Sequence, residues 1–350
     1  MTKKKSAYAQ AGVDIEVAEK AGELIKKHVL STFGSGVLSR FGAFAGMFNA
    51  DILRSLRNPV LVQSIDGVGT KLMIAEMMNQ WTIGRDVVNH CVNDILAVGA
   101  KPLTFLDYVA SAKLKPAIME KIVENMAIAC KEVGIPIISG ETAEMPGIYQ
   151  EGHHDVVGCI TGLVDKNKIL DGSKIATGDV LIGLPSTGLH TNGYSLARKA
   201  FLVGFNVNTY LEKLGCTIGE ELLKVHRCYF KAVYPLLEIS TIEIHGIAHI
   251  TGGGLIDNIA RLLPKGLCAK ISHQWKIPAV FKYIQDMEQV SDDEMRRVFN
   301  LGIGMVLIVP FEHVKIVRGI LRDYGERTNI VIGTIDKTRS KKEKRVFFKY

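Results

Sequence analysis

No two of the six cysteines (Cys91, Cys130, Cys159, Cys216, Cys228 and Cys268) are spaced as C-x-x-C. Zinc ribbons and thioredoxin-type motifs are thereby excluded, and thiols set among apolar neighbours read as reduced groups in a cytoplasmic protein rather than as a disulfide framework. No apolar run approaches the ~20 residues of a membrane-spanning helix. The lysines of residues 1–5 lead into the polar stretch Ser6–Gln10, not into the apolar core of a signal peptide. There is no G-x-S-x-G elbow and no cysteine in a glycine-rich turn, so a serine or cysteine nucleophile lacks its usual scaffold. A basic folded body is missing too: of the net charge of +7, residues 1–5 carry +3 and residues 336–350 carry +5, leaving −1 between them. Nucleic-acid binding by phosphate neutralisation needs basic charge on a fold. Any such role would have to reside in the basic tail 336–350.

What remains is a globular mix. At 350 residues, 47% hydrophobic and 23% charged, the chain is long enough for about two domains. Glycine, at 34 residues, exceeds the usual ~7% and falls in clusters. Apolar runs bounded by glycine or proline predict strands at Val60–Ile65, Leu103–Ala110, Ile135–Ser139, Val156–Val164, Val180–Leu184, Met305–Val309 and Ile330–Ile335. Helical spacing predicts helices over Asp14–Ser31, Thr82–Val98 and Pro116–Val133, the last started by proline and stopped by Gly134. The polar stretch Lys166–Lys174 is the expected boundary, dividing residues 1–170 from 171–350, and the lysine-rich end is expected to be mobile.

Three segments of the first half carry chemistry. Ile65-Asp66-Gly67-Val68-Gly69-Thr70-Lys71 follows a strand. It is neither a Walker A loop nor G-x-G-x-x-G, but its glycines can present N–H groups, with a carboxylate and a lysine at phosphate distance; a plain strand-to-helix turn is the alternative. The helix Thr82–Val98 places Asp86, Asn89, His90, Asn93 and Asp94 opposite its apolar side. Short oxygen ligands on a rigid helix suit Mg²⁺, while a simple polar surface is the competing reading. Ser139-Gly140-Glu141-Thr142-Ala143-Glu144-Met145-Pro146-Gly147 is expected at the C-terminal end of a strand. Asp66, Asp94 and Glu141 could then meet at one metal–phosphate site, unless Glu141 and Glu144 merely start a helix.

In the second half, Ser186-Thr187-Gly188-Leu189-His190-Thr191-Asn192-Gly193-Tyr194-Ser195 sets a histidine among glycines and hydroxyls, in what reads as an exposed turn between strand and helix. That is a plausible acid/base position, although structural loop histidines are also common. His245 and His249 precede Thr251-Gly252-Gly253-Gly254, which reads either as an anion-binding nest or as a sharp turn before a helix from Leu255. His153 and His154, in a polar stretch before a strand, read as surface.

Taken in order, these segments resemble the phosphoribosylformylglycinamidine cyclo-ligases, or AIR synthetases, of purine synthesis. The resemblance rests on Tyr8 with Ala11–Asp14, Asp66–Lys71, Cys91–Asp94, Phe105–Tyr108, Gly140–Gly147, Asp171–Ser173, His190–Ser195 and Ala248–Gly254, and spans residues 8 to about 335. Ser139 and the stretch Ser39-Arg40-Phe41-Gly42 depart from the family's glycine pattern. The order and span also lead one to expect a stand-alone enzyme. The resemblance implies two α+β domains with mixed α/β layers, and a homodimer whose N-terminal sheets join into a barrel. It implies ATP bound in the N-terminal half and Mg²⁺ on Asp66, Asp94 and Glu141. Phosphoryl transfer to an amide oxygen of formylglycinamidine ribonucleotide would be followed by ring closure. Lys26, Gly67, Gly69, Thr70, Lys71, Gly140 and Thr142 are the further ATP contacts implied. His190 and Asn192, with Glu141, are the implied catalytic groups; His249, Thr251, Gly252, Gly253 and Gly254 would hold the substrate and its ribose phosphate. A small-molecule kinase of the same fold and a non-catalytic nucleotide-binding protein are the competing classes. The first cysteine, Cys91, lies inside a helix, and the chain ends Phe348-Lys349-Tyr350. Neither feature matches the reactive N-terminal Cys or selenocysteine of selenophosphate synthetase, or the terminal cysteine of the hydrogenase maturation protein.

Overall fold

A computed structural model describes residues 6–272, 274–338 and 345–349, so residues 1–5 and 339–344 of the two basic ends lie outside the described residues. The chain divides into two compact units, Met1–Cys91 with Pro102–Leu163, and Val92–Lys101 with Val164–Tyr350. A single cut in the sequence does not express this division, because residues 92–101 count with the second unit.

The first half of the chain folds as helices Ala7–Gln10 (α1), Ile15–Leu30 (α2), Lys71–Met78 (α3), Ile83–Ala97 (α4) and Pro116–Val133 (α5), with strands Pro59–Gly67 (β1), Lys101–Ser111 (β2), Ile137–Glu144 (β3) and His154–Asp165 (β4). The four strands form one sheet in the order β1-β4-β2-β3, and β2 and β3 run parallel. Local signals set the helices. Asp14 accepts hydrogen bonds from the N–H groups of Glu16 and Val17 and so caps α2. Pro116 opens α5, and Gly134 ends it in the left-handed conformation at φ 81°. Helix α4 presses Val87 onto the sheet, where Gly158 leaves room for it and for the ring of Phe105. On β1 alternate residues are exposed, and Leu61 and Ile65 remain 61% and 68% accessible.

The second unit holds strands Val180–Pro185 (β5), Tyr210–Leu211 (β6), Cys216–Thr217 (β7), Gly246–His249 (β8), Leu267–Ser272 (β9), Ile303–Val309 (β10), Ile330–Lys337 (β11) and Val346–Lys349 (β12). Its helices are Tyr194–Leu202 (α6), Ile218–Leu222 (α7), Phe230–Glu238 (α8), Gly254–Ala260 (α9), Ala279–Glu288 (α10), Asp292–Val298 (α11) and Val314–Asp323 (α12). Six strands form a mixed sheet in the order β12-β9-β11-β5-β10-β8. Strand period two divides its side chains between two cores. Ile182, Leu184, Ile247, Met305, Leu307 and Val309 pack on α8 and α12, whereas Leu181, Val306, Ile308 and Ile332 pack on Leu255 and Ile259 of α9. Each such side chain contributes roughly 1.5–3 kcal/mol by burial.

Every strand and helix expected from periodicity is present; of the lysine-rich end expected to be mobile, residues 339–344 lie outside the described residues, and the segment after them departs from the expectation. Residues 346–349 are not a mobile polar tail: they form β12, which pairs parallel with β9 at the edge of the sheet, with Val346 buried. The strand's apolar residues supply the packing that the surrounding lysines conceal.

Candidate functional site

In the first unit the Asp66–Lys71 segment turns from β1 into α3. Asp66 closes onto its own backbone, accepting from the Gly67 N–H at 2.7 Å, while its other oxygen lies 2.9 Å from Nε2 of the buried His90. The Asp66 side chain remains 42% exposed. Gly69 takes a left-handed φ of 55°, and Thr70 precedes α3 without a side-chain cap. Lys71 is placed differently from the expectation of a phosphate contact. Its Nζ is 2.9 Å from the Asp86 carboxylate, and both side chains are 0% exposed. Burial pushes the Lys71 ammonium pKa down, and Asp86 opposes the shift. Two members of the unusual polar face of α4, Asp86 and His90, therefore serve to pin this turn from behind. Lys26 stands exposed on α2.

The Gly140–Glu144 segment forms the C-terminal half of β3, in register with Asp107–Ser111 of β2, and does not start a helix. Glu141 is exposed and Thr142 half-buried. Glu144 is structural, accepting from the N–H groups of Asp14 and Leu114. Gly140 faces the side chain of Asp107, and a Cβ there would lie 2.3 Å from Asp107 Oδ1. Asp107 was not singled out from the sequence as a site residue. Burial raises its carboxyl pKa to about 7, with the charge of Glu141 adding to the shift and a hydrogen bond from its own N–H opposing it. Because β1 and β3 are opposite edges of the four-stranded sheet, Asp66 and Glu141 are separated by three strand spacings, roughly 14 Å at ~4.8 Å each. The structure does not bring these two carboxylates onto one ion. His154, expected at the surface, is buried at the start of β4 with its N–H and Nδ1 both 3.1 Å from Glu76.

The second unit gathers the remaining residues into one polar core. His190 is not in an exposed turn: it is 1% exposed, takes a left-handed φ of 62°, and accepts through Nε2 from the Thr187 N–H at 3.2 Å. That conformation is uncommon outside glycine, and such strain collects at functional positions. Its ring stacks on His226, centroids 4.1 Å apart. Asn192 points its Oδ1 toward Gly252, 3.5 Å from where a Cβ would be, so the His190–Ser195 and Thr251–Gly254 turns meet. The Asn192 Nδ2 is buried with no hydrogen-bond partner among the described residues. A buried idle donor costs roughly 1–3 kcal/mol, which an incoming acceptor oxygen would recover. His249 completes the group: its Nδ1 is 2.8 Å from Asp94 and its Nε2 3.1 Å from Nε2 of His226. The Asp94 side chain is 28% exposed.

The glycine run has a packing explanation. Gly253 and Gly254 both take positive φ, and a Cβ on Gly254 would lie 2.0 Å from the Arg296 carbonyl oxygen. Asn258 donates to the carbonyls of Thr251, Gly252 and Gly254, locking the turn. Thr187, whose N–H meets His190, also lines a cavity of about 410 Å³ together with Ser186, Gly188, Glu221 and Lys224. Among the described residues no helix is long and apolar enough to cross a membrane.

Residues 49–164 match the family described as AIR synthase related protein, N-terminal domain, and residues 176–344 match its C-terminal domain. The chain is 46% identical over 331 residues to a phosphoribosylformylglycinamidine cyclo-ligase of Alkaliphilus oremlandii, covering 93% of this chain and 96% of that one. It is 48% identical over 331 residues to the enzyme of the same name from Desulfitobacterium hafniense, with 94% and 96% coverage. A crystal structure of the hydrogenase maturation protein HypE in complex with ATP shares the fold, with a TM-score of 0.59, 15% identity, and 96% and 88% coverage.

Proposed function

The chain belongs to the AIR synthase related family, and from that premise we propose that it closes the imidazole ring of formylglycinamidine ribonucleotide with ATP, releasing aminoimidazole ribonucleotide, ADP and phosphate. The observation that carries this reading is the end-to-end match to cyclo-ligases at 46–48% identity. An amide oxygen is a poor leaving group. Moving the γ-phosphoryl of ATP onto it gives an imidate-like phosphate ester; the neighbouring nitrogen then attacks that carbon, the ring C–N bond forms, and phosphate departs. Such chemistry depends on positioning and charge neutralisation more than on covalent help from the protein.

We assign the nucleotide to the exposed carboxylate Asp66, the turn glycines Gly67 and Gly69 with Thr70, the strand residues Gly140, Glu141 and Thr142, and Lys26. Lys71 supports the turn from beneath. Mg²⁺ suits hard carboxylate donors, and the accessible oxygens of Asp66, Asp94 and Glu141 are of that kind. The ion would neutralise phosphate charge. We assign Asp66 and Glu141, on opposite edge strands of the sheet, to different parts of the nucleotide complex. In the second unit we assign Asn192 to a substrate oxygen through its idle Nδ2, His190 to orienting the reacting groups, and His249 with Thr251–Gly254 to holding the substrate. We place the enzyme in the cytoplasm, without a nucleic-acid partner.

The test follows phosphate release from ATP and aminoimidazole formation in the same tube, with and without formylglycinamidine ribonucleotide. Equal, substrate-dependent amounts of both are expected. Phosphate without ring product would place the protein among the kinases of this fold and overturn the reading.

We further propose a homodimer. The edge strand β1 exposes Leu61 and Ile65 on one face, and exposed apolar side chains on an edge strand mark a surface that another chain covers. The occupant we assign is a second copy, with the two sheets closing into a barrel. Leu61→Asp with Ile65→Asp is expected to shift the protein from dimer to monomer in sedimentation; an unchanged mass would remove β1 from the interface.

A further inference from the structure

We infer that His226 is a positioning residue for ring closure, a side chain that contacts both the His190–Asn192 turn and His249; the inference rests on the function proposed above. Its ring is 0% exposed and makes contacts in three directions. One face stacks on His190, with ring planes 20° apart. Nδ1 lies 3.3 Å from the Thr191 hydroxyl. Nε2 lies 3.1 Å from His249 Nε2 and 3.2 Å from Asn93 Nδ2. At 3.1 Å one of the two imidazole nitrogens carries the hydrogen between them.

The segment carrying His226 is itself held on both sides. The Val225 carbonyl accepts from the Thr187 hydroxyl. The Arg227 carbonyl accepts from Asn93 Nδ2 at 2.8 Å, and the Tyr229 N–H donates to Asn93 Oδ1 at 3.0 Å. The Arg227 guanidinium donates through Nε and Nη2 to one oxygen of the buried Glu326, at 3.1 and 2.9 Å. A segment anchored this firmly delivers its one inward ring with little freedom, which is what catalytic groups need from their surroundings. Thr191 lies between His190, assigned to orienting the reacting groups, and Asn192, assigned to a substrate oxygen, whereas His249 is assigned to holding substrate. Each nitrogen of His226 thus serves a different kinetic parameter.

Two side chains separate them. Glutamine carries a polar atom near the Nε2 position and asparagine one near the Nδ1 position. His226→Gln is expected to keep the contact to His249 and lose that to Thr191, lowering kcat about tenfold with KM for formylglycinamidine ribonucleotide nearly unchanged. His226→Asn is expected to do the reverse, raising KM about tenfold with a smaller loss in kcat; about tenfold is the effect of one hydrogen bond of ~1.4 kcal/mol. His226→Phe keeps the stacked ring and loses both. Melting temperatures and ATP binding are measured alongside. If the variants change only the melting temperature, if kcat and KM stay within twofold, or if none of the three folds, His226 is structural and the inference is overturned. If the unaltered protein makes no ring product, it is the proposed function that fails.

Discussion

Replacing Lys71 by methionine is expected to lower the melting temperature by roughly 6–20 °C, from a loss of about 3–5 kcal/mol at about 2–4 °C per kcal/mol. The lysine lies 2.9 Å from Asp86 with both side chains fully buried. Removing its charge leaves the fully buried Asp86 carboxylate without the lysine cation that lies 2.9 Å away. A buried carboxylate can escape that cost by binding a proton, which raises its folded-state pKa above the unfolded value. The deficit of the variant is therefore expected to be small near pH 4 and to grow as the pH rises toward 8. Replacing both partners, Lys71→Met with Asp86→Val, is expected to restore most of the lost stability, because neither charge then needs a partner. Thermal unfolding of the single and double variants at several pH values measures all three effects. A single variant with an unchanged melting temperature but much weaker ATP binding would return Lys71 to the phosphate and sink the structural role.

The Lys71 pair illustrates where sequence reasoning reaches and where it stops. The spacing around Asp66–Lys71 and the lysine-free polar face of α4 both stood out, and both matter. Their meaning lay in contacts remote in sequence: Asp86 pairs with Lys71 and His90 with Asp66. Helix α5 was legible from end to end because its proline start, apolar repeat and glycine stop are all local. The edge strand β12 was hidden because four consecutive residues, preceded by the basic run Lys341–Arg345, carry too little pattern to outweigh composition. His226 gave no local signal at all. Its partners Asn93, Thr191 and His249 come from three segments remote in sequence, and only the topology of the second unit assembles them. The glycine before Glu141 was noticed as a nucleotide contact; what its missing side chain demonstrably admits is the carboxyl group of Asp107.

That carboxyl group supports the second large effect. Burial raises the Asp107 pKa from the usual 3.8 to about 7, and the neighbouring Glu141 pushes in the same direction. In the folded protein Asp107 therefore keeps its proton over a range in which the unfolded chain has already lost it. The native state then binds more protons than the unfolded state between about pH 4 and 7, so stability falls as the pH rises through that window. Below it the group costs nothing, and above about pH 7 the full penalty applies, with an upper bound of about 4 kcal/mol. The buried Cys130 adds no relief, since its own thiol is pushed up by burial and by the Asp107 charge. Asp107→Asn keeps the shape and removes the titration. In metal-free buffer its melting temperature is expected to match the unaltered protein near pH 4.5 and to exceed it increasingly up to pH 8. Subtracting the two proteins at each pH cancels the carboxylates that do not interact with Asp107, so the difference curve reports Asp107 and its coupling to Glu141. A difference that stays flat with pH would mean that Asp107 ionises like an exposed carboxylate, and that Gly140 makes room for an ordinary charged group.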